Sequence, residues 1–159
     1  MNQAPTILPN RLPAIVATLG GLGRVGFAPG TVASLVALPF AWLLARYGGN
    51  SVLLGATLAA AMIGTWACDA YARRTNAIDP SECVADELAG QWLTCAFAPL
   101  SLGGMLLAFF LFRLFDVLKP WPIPLAERLE GGLGIMADDI VAAAMAGMLV
   151  AICAGVGIV

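Results

Sequence analysis

Residues 109–124 have the sequence FFLFRLFDVLKPWPIP, an apolar helical pattern that carries Arg113, Asp116 and Lys119 before three prolines end it. Residues three apart on a helix are neighbours on one side, so we expect the Asp116 carboxylate to lie between the two cations. Charged residues in so apolar a segment need a specific partner or a function. The rest of the chain is therefore interpreted around this stretch.

The composition of the chain indicates an integral membrane protein. Its 159 residues are 60% hydrophobic and only 11% charged, with a mean hydropathy of +0.89. Soluble proteins are about one quarter charged, whereas apolar stretches of about 20 residues are typical of membrane spans. Because no repeat or long linker divides the chain, we expect a single membrane-embedded domain over residues 1–159. The N-terminus lacks the pattern of a cleaved signal peptide.

Composition also excludes several classes of function. The net charge of -2 and the pI of about 4.9 argue against nucleic acid as a partner. The chain contains no histidine, which excludes mechanisms that need a histidine nucleophile, base or metal ligand. Its four cysteines lie in apolar segments without CxxC spacing, so we expect them in the core rather than in disulfides or zinc sites.

Apolar runs separated by glycine, proline and polar turns predict an all-α membrane bundle of about four to five hydrophobic helices. We expect the third and fourth helices to form a hairpin, and Asp79 to cap the third. The glycine-rich residues 20–31 and residues 47–50 are expected to be a loop and a turn. The predicted helices are approximately 32–46, 51–71, 80–98, 105–118 and 139–158.

This layout places the charged residues at one side of the membrane. Every lysine and arginine except Arg46, and every aspartate and glutamate, falls on or near that side. The positive-inside rule makes it the cytoplasmic side. The helix ends there bring together three charged groups: Asp86 and Glu87; Arg113, Asp116 and Lys119; and Asp138 and Asp139.

Crowded carboxylates in a medium of low dielectric constant repel one another unless a cation neutralises them. Oxygen ligands without histidine or thiolate select magnesium or manganese. A metal ion held by carboxylates beside arginine and lysine is suited to phosphoryl chemistry. The sequence therefore predicts a metal-carboxylate site where the helix ends and loops meet at the cytoplasmic side.

The acidic pairs also have a structural explanation. Asp138 and Asp139 could cap a helix and complement its dipole. Asp86 and Glu87 are harder to explain in this way, because a helix that starts at residue 80 places them beyond its first turn. Ionisable residues within membrane helices are usually functional.

The remaining features leave alternatives open. Arg113 and Lys119 could extend toward lipid headgroups, with Asp116 only pairing with them. Residues 20–31 could be a plain connector, although glycine-rich backbone before a helix also suits a phosphate. A divalent-cation transporter or channel is the alternative function, because clustered carboxylates bind ions in transit, but acids at a single face do not make a path across the membrane.

Four segments carry a family resemblance: GLGRVGFAPGTVASL (21–35), DPSECVADELAGQW (79–92), FRLFDVLKPWPI (112–123) and GIMADDIVAA (134–143). In these segments the chain resembles the phosphatidylglycerophosphatase A family. The resemblance implies a multi-pass, magnesium-dependent lipid phosphatase of the bacterial inner membrane. It would hydrolyse phosphatidylglycerophosphate to phosphatidylglycerol and phosphate, with its active site facing the cytoplasm. The oligomeric state stays open, a homo-oligomer included.

The resemblance also implies roles for particular residues, while leaving open whether water or an aspartate attacks phosphorus. The candidate metal ligands and catalytic acids or bases are Asp86, Glu87, Asp116, Asp138 and Asp139. The candidate phosphate-binding residues are Arg24, Gly30, Thr31, Ser34, Arg113 and Lys119.

Overall fold

The computed structural model describes residues 11–159, and all regular structure in that part of the chain is helical. The predicted all-α class is therefore confirmed. The N-terminal segment, for which the sequence predicted no signal peptide, lies mostly outside the described residues. A 3-10 helix covers Leu19–Arg24. The α-helices of the described chain are α1 (Leu12–Ala17), α2 (Pro29–Thr75), α3 (Ala85–Cys95), α4 (Leu102–Leu118), α5 (Ile123–Ala126) and α6 (Gly132–Gly155).

Helix α2 contains the first two predicted helices and the turn between them. It is interrupted at Gly49, whose φ of 76° and ψ of 171° are not helical and suit a residue without a Cβ. Both halves of α2 reach the first turn of α3: Gly30 lies against Glu87, and a Cβ on Gly64 would be 3.3 Å from the Ala85 Cβ. The chain therefore reverses at Gly49, and both outer ends of α2 lie at the end of the bundle where α3 begins.

Helix α3 begins later than predicted, at Ala85 instead of residue 80, and Asp79 does not cap it. The preceding segment is held by one tertiary hydrogen bond and one turn instead of forming the first turn of the helix. The Val84 N–H donates to the Ala17 carbonyl of α1 over 2.9 Å, and the Cys83 N–H closes a turn onto the Pro80 carbonyl over 2.8 Å. Asp86 and Glu87 consequently lie in the first turn of α3.

Helix α6 begins earlier than predicted, so that Asp138 and Asp139 lie in its second turn and not at its start. Its glycine-rich beginning packs closely on α2: the Gly132 N–H donates to Asp69 Oδ1 over 3.2 Å, and a Cβ on Gly132 would overlap the Thr65 carbonyl oxygen. The glycines that suggested a loop in the sequence therefore permit close packing of two helices.

The helices pack around α3 through a buried apolar cluster. Ala41 and Leu53 from the two halves of α2, Cys95 from α3, Met105 from α4 and Val150 from α6 form one buried cluster. All four cysteines are free thiols, three of them buried and one half-buried, in agreement with the expectation that they are core residues.

Two of the described helices, α2 and α6, are long and apolar enough to cross a membrane. By length and hydropathy, the described residues therefore contain two candidate membrane-spanning helices, fewer than the four to five that the sequence predicted. Helix α3 has 11 residues and rises only about 16 Å, about half of a hydrocarbon core that is about 30 Å thick. Large apolar side chains nevertheless face outward on several helices, among them Phe40, Met62 and Phe110.

Candidate active site

Three carboxylates meet between the first turn of α3 and the second turn of α6. One oxygen each from Asp86, Glu87 and Asp139 lies within 4.8 Å of the other two. Asp86 and Asp139 are buried, and the Glu87 side chain is only 16% exposed. We refer to Asp86, Glu87 and Asp139 as the carboxylate cluster.

Two oxygens of the carboxylate cluster have no donor. Glu87 Oε2 and Asp139 Oδ2 are buried, and neither accepts a hydrogen bond from residues 11–159. Asp86 Oδ1, by contrast, accepts the Glu87 N–H over 3.0 Å. A buried carboxylate oxygen without a donor is costly unless a cation approaches it. Three carboxylates with free oxygen lone pairs form the type of ligand set that hard divalent cations prefer.

Arg113 of α4 lies beside the cluster and contacts two carboxylates. Its Nη1 atom is 2.7 Å from Asp116 Oδ2 and 3.9 Å from Glu87 Oε1. The Nη1 hydrogens do not point at these oxygens well enough for a hydrogen bond, and Nε also lacks a partner within the described chain. The Arg113 side chain is only 16% exposed. It therefore retains donors that an anion with several oxygens can use.

Lys119 forms a second charged group with Asp138 and Glu127. Its Nζ donates to Asp138 Oδ2 over 2.7 Å and to Glu127 Oε1 over 2.9 Å. Burial acts to lower the pKa of Lys119, but the hydrogen bonds to Asp138 and Glu127 outweigh it and hold that pKa above its ordinary value. Lys119 is therefore a cation at any physiological pH. Asp138 points its Oδ2 to this lysine and does not belong to the carboxylate cluster.

The structure reverses the expected helical positions of the two acidic pairs. Asp86 and Glu87 lie in the first turn of α3, where the helix dipole favours negative charge. Asp138 and Asp139 lie beyond the first turn of α6, where capping cannot account for them. A structural explanation by the helix dipole thus applies to Asp86 and Glu87, the pair for which the sequence disfavoured it. It does not account for the donor-free oxygen of Glu87.

The predicted phosphate-binding residues of α2 divide into different environments. Gly30 is buried against the site: a Cβ there would overlap Glu87 Oε1 and lie 3.1 Å from Arg113 Nη1. Thr31 follows it, half-buried, in the first turn of α2. The Ser34 hydroxyl is fully buried and donates to the Gly30 carbonyl over 2.9 Å, so this hydroxyl is engaged within the helix.

Arg24 lies elsewhere. It is exposed at the end of the 3-10 helix and lines a cavity with Arg11 and Arg74. Neither Arg113 nor any predicted metal ligand lines that cavity. The structure therefore separates Arg24 from the cations that accompany the carboxylates.

Two residues absent from the predicted site also contact or adjoin it. Glu127 forms an ion pair with Lys119. Prolines separate the two residues, so helical spacing could not predict this contact. Gln91 is fully buried one helical turn after Glu87, and its Oε1 has no partner among the described residues. Its spacing of four residues from Glu87 placed both on one face of a helix, which was a signal available in the sequence.

Comparison with known proteins identifies the family of this chain. The sequence model of the phosphatidylglycerophosphatase A family matches residues 15–154. Phosphatidylglycerophosphatase A of Escherichia coli K12 is 36% identical over 77% of this chain and 72% of its own length. The Haemophilus influenzae protein of the same name is 37% identical over 82% of this chain and 81% of its own.

A third relative has a different name. It is a Bacteroides thetaiotaomicron protein that carries the provisional name phosphatidylinositol-3-phosphatase. This protein is 32% identical over 91% of this chain and 94% of its own length. No solved structure matches the chain. The family match covers nearly every helix described above, including all that contribute to the carboxylate cluster. The chain therefore belongs to the phosphatidylglycerophosphatase A family and is a phosphatase.

Proposed function

We propose that this protein is a magnesium-dependent lipid phosphatase that hydrolyses phosphatidylglycerophosphate to phosphatidylglycerol and phosphate. The observation that carries the proposal is that carboxylate oxygens without a donor lie next to arginine nitrogens without an acceptor. The carboxylate cluster has buried oxygens that no donor reaches, and the adjacent Arg113 has buried Nε and Nη1 donors without a hydrogen-bond acceptor among the described residues. A metal ion and a phosphate satisfy both together.

The carboxylate cluster fits a magnesium ion by its chemistry, since it offers only oxygen ligands and the chain has no histidine. Asp86, Glu87 and Asp139 would hold the ion. Magnesium bound there supplies positive charge that polarises a phosphate oxygen. Of the five carboxylates that the sequence predicted as ligands, the other two are engaged by cations, Asp116 with Arg113 and Asp138 with Lys119.

Arg113 and Lys119 bind and orient the phosphate in this proposal. Fixed cations act most strongly where water is excluded, and they stabilise the charge that grows on phosphate oxygens as the ester bond breaks. Asp116 and Asp138 hold these side chains in position through contacts of 2.7 Å. Water forms the new bond to phosphorus, and the glycerol oxygen leaves with a proton.

The location of the site suits a lipid substrate. We propose a multi-pass protein of the bacterial inner membrane, in which the two halves of α2 together with α4 and α6 lie in the bilayer and the site faces the cytoplasm. The outward-facing apolar side chains of α2 and α4 support this placement. The acyl chains of the substrate then remain in the bilayer while its headgroup reaches the ends of the helices.

The test is phosphate release by the detergent-purified protein, with magnesium and then with chelator. We expect release from phosphatidylglycerophosphate that chelator abolishes and magnesium restores. The Glu87→Gln variant should lose it, whereas Glu130→Gln, the same change at an exposed residue outside the cluster, should not. The same assay with phosphatidylinositol 3-phosphate compares the substrate suggested by the name of the Bacteroides relative.

Two results would contradict the proposal. Release that continues undiminished in chelator would rule out the metal. Divalent-cation flux in liposomes by protein that releases no phosphate from any lipid phosphomonoester would identify the alternative function, a transporter or channel that uses the same carboxylates.

A further inference from the structure

A basic cavity lies between α1, the 3-10 helix and the C-terminal end of α2. Its volume is about 550 Å³, within the range of pockets that hold small ligands. Arg11, Arg24 and Arg74 line it, and none of the described acidic residues does. It contains none of the residues to which the proposed reaction assigns a role.

The charges of Arg11 and Arg24 in this cavity are not balanced by ion pairs with the described residues. Within residues 11–159, neither Arg11 nor Arg24 forms an ion pair, whereas Arg73, on the same stretch of α2 as Arg74, pairs with Asp69 over 2.7 Å. Residues 1–10 contain no aspartate or glutamate, so the remaining sequence supplies no side-chain carboxylate either. Like charges facing one cavity repel, and a bound anion relieves that repulsion.

The surroundings of the arginines indicate what kind of anion binds. Guanidinium groups pair with phosphate oxygens through two parallel hydrogen bonds. Ile15, 53% exposed, lines the same cavity from α1 and gives it an apolar side. Arginines at the cytoplasmic surface of a membrane protein attract anionic lipid headgroups. A ligand with a phosphate and an adjoining apolar part matches this lining better than a free phosphate.

We propose that this cavity binds the headgroup phosphate of an anionic phospholipid, a second lipid in addition to the one that is hydrolysed. The separation from the carboxylate cluster argues for a second lipid, since the cavity shares no lining residue with it. The cavity is nevertheless connected to the cluster through the backbone. Ala17 of α1 accepts the Val84 N–H over 2.9 Å, two residues before Asp86.

The binding test uses detergent-purified protein with chelator present, so that no metal holds a phosphate at the carboxylate cluster. Short-chain phosphatidylglycerol, phosphatidylcholine of equal chain length and inorganic phosphate are titrated separately by calorimetry. We expect phosphatidylglycerol to bind at least tenfold more tightly than the other two. Arg24→Gln should weaken its binding about fivefold, and Arg11→Gln with Arg24→Gln about 25-fold. Arg128→Gln, which removes one exposed charge outside the cavity, should leave the affinity unchanged.

Specific outcomes would overturn the inference. Unchanged phosphatidylglycerol affinity in the double variant, with wild-type helical circular dichroism, would show that the arginines hold no lipid. Equal affinity for phosphatidylcholine would exclude an anion site, and equal affinity for inorganic phosphate would exclude a lipid site. A KM for phosphatidylglycerophosphate that rises fivefold in Arg24→Gln, in neutral detergent without other anionic lipid, would mean that the cavity holds the substrate itself. The binding readout does not depend on phosphatase activity.

Discussion

Gly30 lies so close to Glu87 that a Cβ added to the glycine would overlap Glu87 Oε1. The backbone at the start of α2 thus packs against the Glu87 carboxylate in the first turn of α3. The same added Cβ would lie 3.1 Å from Arg113 Nη1. Glycine matters here for packing and not for its φ, which is not in the left-handed region: an added methyl group would displace the Glu87 carboxylate. The carboxylate cluster is therefore shaped by a helix that contributes no carboxylate to it.

Gly30→Ala should lower kcat/KM for phosphatidylglycerophosphate about 100-fold, because the added methyl group displaces Glu87 from the cluster and small misplacements at a catalytic centre are costly. Steady-state phosphate release measures this. Gly55→Ala is the matched control in the same helix, since a Cβ there meets nothing within 4 Å. Activity of Gly30→Ala within threefold of the wild type would contradict the close contact.

Asp139→Asn should weaken divalent-cation binding at least tenfold, because it removes the charge of an oxygen pair in the three-carboxylate cluster. Asp138→Asn should weaken it far less, since Asp138 is engaged by Lys119. The measurement is Mn²⁺ binding by electron paramagnetic resonance without substrate. If the two variants lose affinity equally, Asp138 is a ligand as well and the assignment of three ligands is wrong.

Arg113→Lys should lower kcat/KM about 10- to 100-fold. Lysine keeps the charge but loses the Nε and Nη1 donors, which have no hydrogen-bond partner in the described chain and which we assign to the phosphate. Arg128→Lys, the same exchange at an exposed residue, is the control. Kinetics of Arg113→Lys that match the wild type within twofold would show that only the charge matters.

Lys119 should be coupled more strongly to Asp138 than to Glu127. The Asp138 side chain is 10% exposed and the Glu127 side chain 50%, and solvent weakens the more exposed pair. Double-mutant cycles with Lys119→Gln, Asp138→Asn and Glu127→Gln, measured as free energies of unfolding in detergent, should give about 1.5–3 kcal/mol for Asp138 and about 0.2–1 kcal/mol for Glu127. A larger coupling to Glu127 would contradict the structure.

Helix boundaries show where prediction from the sequence was limited. The hairpin of α3 and α4 was expected, and α4 ends at Leu118 as its prolines indicate. The beginnings of α3 and α6 were placed wrongly. Asp79-Pro80 resembles a helix start, yet a contact with α1 delays α3 to Ala85. Residues 131–134, GGLG, resemble a loop, yet α6 begins among them because they contact α2. Local propensities are small and yield to such contacts.

The sequence by itself determined the helical class of this protein and the kinds of groups available for chemistry. Apolar periodicity, proline and the absence of histidine are local or compositional properties, and they limit the fold and the reaction without reference to any contact. Only the tertiary structure decided which charges meet. Asp86, Glu87 and Asp139 come together, and Asp138 turns to Lys119, because close packing of glycine-containing helices fixes how far each helix slides and rotates against the next. That relative placement is a property of the packed core and is not encoded in any one segment.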